Sequence, residues 1–381
     1  MVFLLQMSFI LLLGLCLAKS EVVDTFISRI TAKSKNSRQA YLITALFSLI
    51  GCWFNWGLGL ILGALAARKT GEALSKKGIP FNLGLLAALG YSGMMIFHNG
   101  LSASAPLKAG ESKAIANMNR LNLANIPSEI SSSETIFSGQ NILTSVLVFV
   151  AILALIFVSK PVEKDSYPTI KSTDESITKE KASDKLGLIL GLIILACLVF
   201  ANTFSYELKF LNPNFINSSL LALNLIIYKS LDTFKERVSS EISSISDIVL
   251  QFPIYFAIMA LLSNSGFISN LSESMVASVP SEMIGFVSFL SAGLVNFFVP
   301  SGGGQWLIQG PIIVESFGKS GLNIADGIMA LAYGDELTNM LQPFWALPVL
   351  AITGVKVKQL LPFTFRLFLI GLVIYGIAVF V

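Results

Sequence analysis

Charge is scarce in this chain. Only 13% of its 381 residues are Asp, Glu, Lys or Arg, while 54% are hydrophobic. That balance excludes both an ordinary soluble domain and a disordered polyampholyte. Histidine occurs once, at His98, and cysteine three times, at Cys16, Cys52 and Cys197, each inside an apolar run. Such counts exclude a disulfide framework and a His/Cys metal site. No Gly-x-Ser-x-Gly nucleophile turn is present, so an enzyme would have to work from the single acid pair Asp335 and Glu336. None is expected, and no cofactor is expected beyond a coupling Na⁺ or H⁺. The net charge of +3 is small, and Lys and Arg lie between apolar segments rather than in a tract, which excludes a nucleic-acid surface.

What the chain has is apolar length. Its hydrophobic segments run over 1–18, 40–66, 79–105, 137–159, 186–206, 214–230, 245–263, 281–317, 323–354 and 358–381. A helix needs about 20 apolar residues to cross a bilayer, so the fold class is an all-α polytopic membrane protein. Residues 1–18 lack a basic leader, and Lys19-Ser20-Glu21 is a poor cleavage context, so a retained helix is expected there.

Two segments are interrupted near their middles, by Asn55-Trp56-Gly57-Leu58-Gly59 and by Pro300-Ser301-Gly302-Gly303-Gly304. Backbone that leaves the helix at membrane depth survives only where protein or a water-filled cavity shields it. If both segments turn back as re-entrant hairpins, with 19–38 cytoplasmic, 20 Lys and Arg fall on the cytoplasmic side and 5 outside; if both cross, the split is 11 to 14. The positive-inside rule favours hairpins, the first entering from the cytoplasm and the second from outside.

Opposite entry is what an inverted repeat produces, and the chain echoes itself at matched spacing. Leu5-Gln6-Met7 resembles Leu250-Gln251-Phe252. Asn55 precedes Tyr91 by 36 residues and Asn296 precedes Tyr333 by 37; Asn55 to Pro106 spans 51 and Asn296 to Pro348 spans 52. The expected organisation is a first repeat over 1–159, a cytoplasmic linker over 160–185 with six acids and six bases, and a second repeat over 186–381. Each repeat holds a re-entrant hairpin and a broken transmembrane helix. The second repeat has two spans before its Gln251 segment, whereas the first begins almost at Gln6, so the chain is expected to start inside its first repeat.

A helix that begins at mid-membrane presents unpaired amide N–H groups and the positive end of its dipole, which together make an anion site. Candidate substrate-binding residues are therefore Asn55, Gly57, Gly59, Asn296, Pro300, Ser301, Gly302, Gly303, Gly304 and Gln305, with Ser102 from the opposite broken segment. The competing reading of the glycines is tight helix packing. A phosphate loop does not fit, since Gln305-Trp306 follows the glycines instead of Gly-Lys-Ser/Thr. Acids inside a membrane mark ion or proton paths. Asp335, Thr338 and Asn339 follow helical spacing and could coordinate Na⁺, or Asp335 could carry a proton. Glu336 and His98 join the coupling candidates; the plain alternatives are a helix cap for Asp335, an aqueous vestibule for Glu336 and a structural histidine.

The stretches Asn296 to Pro311 and Tyr333 to Pro348 resemble the bacterial short-chain fatty acid transporter family. Asn55 to Gly59, Gln251-Phe252-Pro253 and His98 to Pro106 are similar to further family segments, so the resemblance covers most of the chain outside 107–136 and 160–185. It implies uptake of short-chain monocarboxylates such as butyrate or acetoacetate across the bacterial inner membrane, by H⁺- or Na⁺-coupled secondary transport. It also implies kinship with a superfamily of dimeric transporters that have paired hairpins and an elevator-like movement. Family members carry a further apolar segment before the position of Met1 and commonly an amide at 336. A passive anion channel and a non-transporting remnant are the alternatives.

Overall fold

The computed structural model describes residues 2–18, 20–111, 113–119, 123, 126–158, 184–203, 213–246, 249–250, 253–254, 257, 260–261, 264–276, 279–342 and 344–380. The Gln251-Phe252 echo, Pro343 and all of the linker except Asp184 and Lys185 lie outside them.

Every regular element among the described residues is helical. The first part of the chain forms α1 (Val2–Ala18), α2 (Glu21–Thr31), α3 (Ser37–Phe54), α4 (Trp56–Lys76), α5 (Leu83–Tyr91), α6 (Ser104–Ala109) and α7 (Gly139–Val158). The second forms α8 (Leu186–Thr203), α9 (Pro213–Tyr228), α10 (Leu231–Glu241), α11 (Phe267–Val276), α12 (Ile284–Asn296), α13 (Gly302–Lys319), α14 (Ile324–Thr338), α15 (Leu347–Thr353) and α16 (Val357–Ala378).

α7 and α16 are each long and apolar enough to cross a membrane. On α7 the apolar Ile142, Leu143, Val146, Leu147, Val150 and Phe157 are exposed, while its polar Asn141, Thr144 and Ser145 are buried together with Val148, Ile152 and Ile156. An apolar outer face over a buried face that carries the polar residues suits a helix bathed in lipid, where burial of hydrocarbon is no driving force and interhelical hydrogen bonds and packing take over.

α3 and α4 double back on one another around a single non-helical residue, Asn55. The approach is close because the contact residues are small. A methyl on Gly59 would overlap the backbone of Cys52 and Gly51, and one on Gly63 would sit 2.8 Å from Ser48 Cβ. α12 and α13 also double back, through a longer turn at 297–301: Gln305 Nε2 donates to the Ala292 carbonyl at 2.8 Å and Gln309 Nε2 to Ser291 Oγ at 3.1 Å. α12 in turn lies along α14, where a methyl on Gly334 would sit 2.8 Å from Ala292 Cβ.

Between these pairs run two interrupted segments. After α5 the chain passes through two 3₁₀ turns, Ser92–Met95 and Phe97–Asn99, before α6; after α14 it passes through Asn339–Leu341 before α15. Tyr91 Oη donates to the Asn339 carbonyl at 2.8 Å, tying one interruption to the other. α1 is laced to α9 by Gln6 to Asn214 Oδ1, Asn217 to the Gln6 carbonyl, Asn224 to the Leu13 carbonyl and Tyr228 to the Cys16 carbonyl. The loop between α6 and α7 is packed against α13: Ile115 and Ile130 join Trp306, Ile313 and Phe317 in one apolar cluster, and Met118 faces Gly310.

Gly59→Ala should therefore force α3 from α4 and cost roughly 1–3 kcal/mol, the usual penalty of overpacking. Gly139→Ala, which meets nothing within 4 Å, should be neutral. Thermal unfolding of the detergent-solubilised proteins checks the contrast.

Candidate functional site

The turn between α12 and α13 is built by a helix that ends at Asn296 and another that starts at Gly302. Ser301, in extended backbone, caps α13: its Oγ accepts the Gly304 N–H at 3.4 Å, and its carbonyl accepts the Gln305 N–H at 2.7 Å. Among the described residues no acceptor meets the N–H of Gly302 or Gly303. Those two donors stand at the positive end of an 18-residue helix, the arrangement that favours an anion.

Asn296 holds the other side of the turn. Its Nδ2 lies 2.7 Å from the Asp335 carbonyl, 3.0 Å from Thr338 Oγ1 and 2.9 Å from Asn339 Oδ1, and its own carbonyl accepts from Gln342 Nε2 at 2.9 Å. The end of α12 is thus fixed to the point where α14 stops being helical. These bonds meet carbonyls and side chains that the two helix ends would otherwise leave unpaired.

Glycine at 302 answers to close approach. A methyl there would collide with the His98 ring and sit 2.9 Å from Asp335 Oδ2. His98, from the interruption after α5, and Asp335, from the end of α14, therefore meet over one residue of the second turn. Glu336 is alongside, its Oε2 accepting the backbone N–H of His98 at 2.8 Å. His98 and Glu336 are fully buried and Asp335 nearly so. Among the described residues, His98 Nδ1 and Nε2, Asp335 Oδ2, Glu336 Oε1, Asn296 Oδ1 and Gln305 Oε1 have no hydrogen-bond partner. A buried polar atom left unpaired costs about 1–3 kcal/mol, and six of them gather around this turn.

The first turn is different. Asn55 Oδ1 accepts from Gly57 and Leu58 at 3.0 and 3.1 Å, Ser102 Oγ accepts from Trp56 at 3.0 Å, and the Asn55 carbonyl accepts from Gly59 at 2.9 Å. Open amides are expected at both turns; at this one the opening N–H groups of α4 are already taken. Gly59 serves helix packing and Gly57 faces Ile10. What stays open is Asn55 Nδ2, buried without a partner. Trp56 meets Trp345 edge to face, with ring centroids 5.6 Å apart. Asn55, Gly57, Gly59 and Ser102 thus form one group, and Asn296, Ser301, Gly302, Asp335, Glu336, Thr338, Asn339 and His98 another, bridged by the run from His98 to Ser102. Pro300, Gly304 and Gln305 flank the second group.

A sequence profile for the short-chain fatty acid transporter matches residues 1–381. The chain belongs to the short-chain fatty acid transporter family. It is 29% identical to a protein of Escherichia coli (strain K12) provisionally named as such a transporter, over 98% of this chain and 85% of that protein. A similarly named protein of Haemophilus influenzae (strain ATCC 51907 / DSM 11121 / KW20 / Rd) is also 29% identical, over 97% of this chain and 86% of its own length. In fold the chain is similar to the YdaH transporter of Alcanivorax borkumensis (TM-score 0.50, 14% identity, 98% of this chain and 84% of that one). It is likewise similar to MtrF of Neisseria gonorrhoeae, described among antimetabolite efflux pumps (TM-score 0.50, 15% identity, 98% and 80%).

Three further residues of this chain shape the site. Asn141 of α7 donates to the carbonyls of Asn99 and Ile136 at 2.8 and 2.7 Å and accepts from Tyr333 Oη at 3.0 Å. Tyr375 of α16 stacks on Tyr333 at 4.7 Å and donates to the Met95 carbonyl. Both brace the interruption that carries His98; a polar residue opening an otherwise apolar segment is the signal that could have found Asn141. The third, Lys108, lies over Gly303.

Asn296→Asp puts a carboxylate against three oxygens and should destabilise by about 3 kcal/mol. Asn55→Ala removes a cap and should cost about 1 kcal/mol. Thermal unfolding in detergent compares them, and equal shifts would contradict the central role given to Asn296.

Proposed function

We propose that this chain is a secondary active transporter of short-chain monocarboxylates, such as butyrate or acetoacetate, in the bacterial cytoplasmic membrane, coupled to H⁺ or Na⁺. The observation that carries the reading is the turn at Gly302: open backbone donors on one side, and on the other the buried side chains of His98, Asp335 and Glu336, each with an atom that has no partner among the described residues. Family membership supports the cargo class.

In this proposal the two halves are inverted repeats, and both helical hairpins are re-entrant, the first from the cytoplasm and the second from outside, with loop 160–185 cytoplasmic. The 20-to-5 division of Lys and Arg supports it. So does the crosswise arrangement, in which Trp56 of the first turn meets Trp345 of the second half while Gly302 of the second turn meets His98 of the first.

The substrate carboxylate is received by the N–H groups of Gly302 and Gly303, shaped by Pro300, Ser301 and Gly304. Asn55 Nδ2 donates to it, while the open amide oxygens of Asn296 and Gln305, which can only accept, face the accompanying cation or proton. Asp335 and Glu336 have no cationic partner among the described residues. A buried carboxylate without a counter-ion is expensive, so a proton or Na⁺ arriving with the substrate, held with Thr338 and Asn339, is the natural partner. That requirement is the basis of coupling: the acid pair favours states in which a cation is present.

Purified protein in vesicles is expected to concentrate radiolabelled butyrate under an imposed proton or sodium gradient. Asp335→Asn should abolish concentration while sparing exchange; uptake that never exceeds equilibrium and ignores Asp335→Asn would instead identify a channel. Gly302→Ala, which collides with His98, should lower uptake by tenfold or more. Gly304→Ala, whose methyl would be 3.4 Å from its nearest neighbour, should change it less than about threefold.

A further inference from the structure

Lys108 sits in α6, directly after the interruption that supplies His98 and Ser102. Its side chain lies across the start of α13: a methyl on Gly303 would be 3.1 Å from Lys108 Cε and 3.7 Å from Nζ. The residue is half-buried, and among the described residues no carboxylate comes within ion-pair reach of it. Its ammonium is therefore held close to the turn with no acid among those residues to neutralise it.

Its surroundings have the opposite need. The N–H groups of Gly302 and Gly303, which meet no acceptor among the described residues, open α13 at the residue over which the lysine lies. His98 Nε2 and Asp335 Oδ2, both buried and unpartnered, close the site at the neighbouring glycine. The turn therefore has a cationic edge at Gly303 and an acidic edge at Gly302, a separation that suits a carboxylate bound beside a coupling cation.

We propose that Lys108 is the counter-ion of the transported carboxylate, so that the protein selects the anion over the neutral acid. The assignment rests on the carrier reading above and names the group that sets its charge selectivity. A two-oxygen carboxylate can accept from the ammonium and from a backbone amide together, and charge-assisted bonds of this kind are roughly twice as strong as neutral ones. The alternative is that the lysine stem merely covers Gly303 with its methylenes.

Lys108→Met keeps the stem and removes the charge, while Lys108→Arg keeps the charge. In vesicles, Lys108→Met is expected to raise KM for butyrate about 10- to 100-fold, the loss of one hydrogen bond to a charged group, with maximal rate changed far less. Lys108→Arg should stay near the wild-type KM. An unchanged KM in Lys108→Met overturns the assignment and leaves the carrier reading standing; a wild type that takes up no short-chain monocarboxylate overturns both. A second measurement needs no variant. Saturating butyrate should slow acylation of Lys108 by an amine-reactive ester in the wild-type protein, read by peptide mass spectrometry, without slowing that of exposed Lys113 and Lys319. Equal protection of all three, or of none, also overturns it.

Discussion

A helix interrupted in an apolar medium exposes amides and carbonyls that neither lipid nor neighbouring hydrocarbon can satisfy. The architecture around the site is a set of answers to that demand. Asn55 and Ser102 close the start of α4, and Ser301 closes part of the start of α13. Asn296 and Gln342 secure the opposing ends, while Tyr91, Asn141 and Tyr375 secure the 3₁₀ stretches. The answers stop at Gly302 and Gly303. The two turns thus look alike in sequence yet differ in kind: at one the opening amides are all taken, at the other two of them meet no acceptor among the described residues.

The small residues follow from the same constraint. Close helix contact at Gly51, Gly59, Gly293 and Gly334 brings interrupted ends near enough to bond one another. The packing reading of glycine and the binding reading are not rivals across the whole chain. They divide by position, with packing at Gly59 and Gly334 and contact with polar groups at Gly302 and Gly303.

Apolar length and helix breakers are one-dimensional signals, which is why the helical elements and the unusual backbone at Asn55 and at Pro300 to Gly304 are legible in the sequence alone. The acids at Asp335 and Glu336 stand out for the same reason, as charges in an apolar run. Neighbours that depend on where a chain goes after it leaves a helix are not legible. Lys108 reads in sequence as a loop charge; only the 3₁₀ path from Ser92 to Asn99, followed by α6, carries it to Gly303. That the first turn's amides are consumed in part by Ser102, 46 residues away, is likewise invisible in a string of letters.

The loop between α6 and α7 has both ends in the first half of the chain, yet Ile115, Met118 and Ile130 are keyed into the outer surface of α13 in the second. It works as a mechanical strap. Pulling α13 away from α6 would strip these apolar side chains from one another, which couples the two elements that carry Gly303 and Lys108. Any rearrangement that kept this contact intact would leave the spacing across Gly303 unaltered.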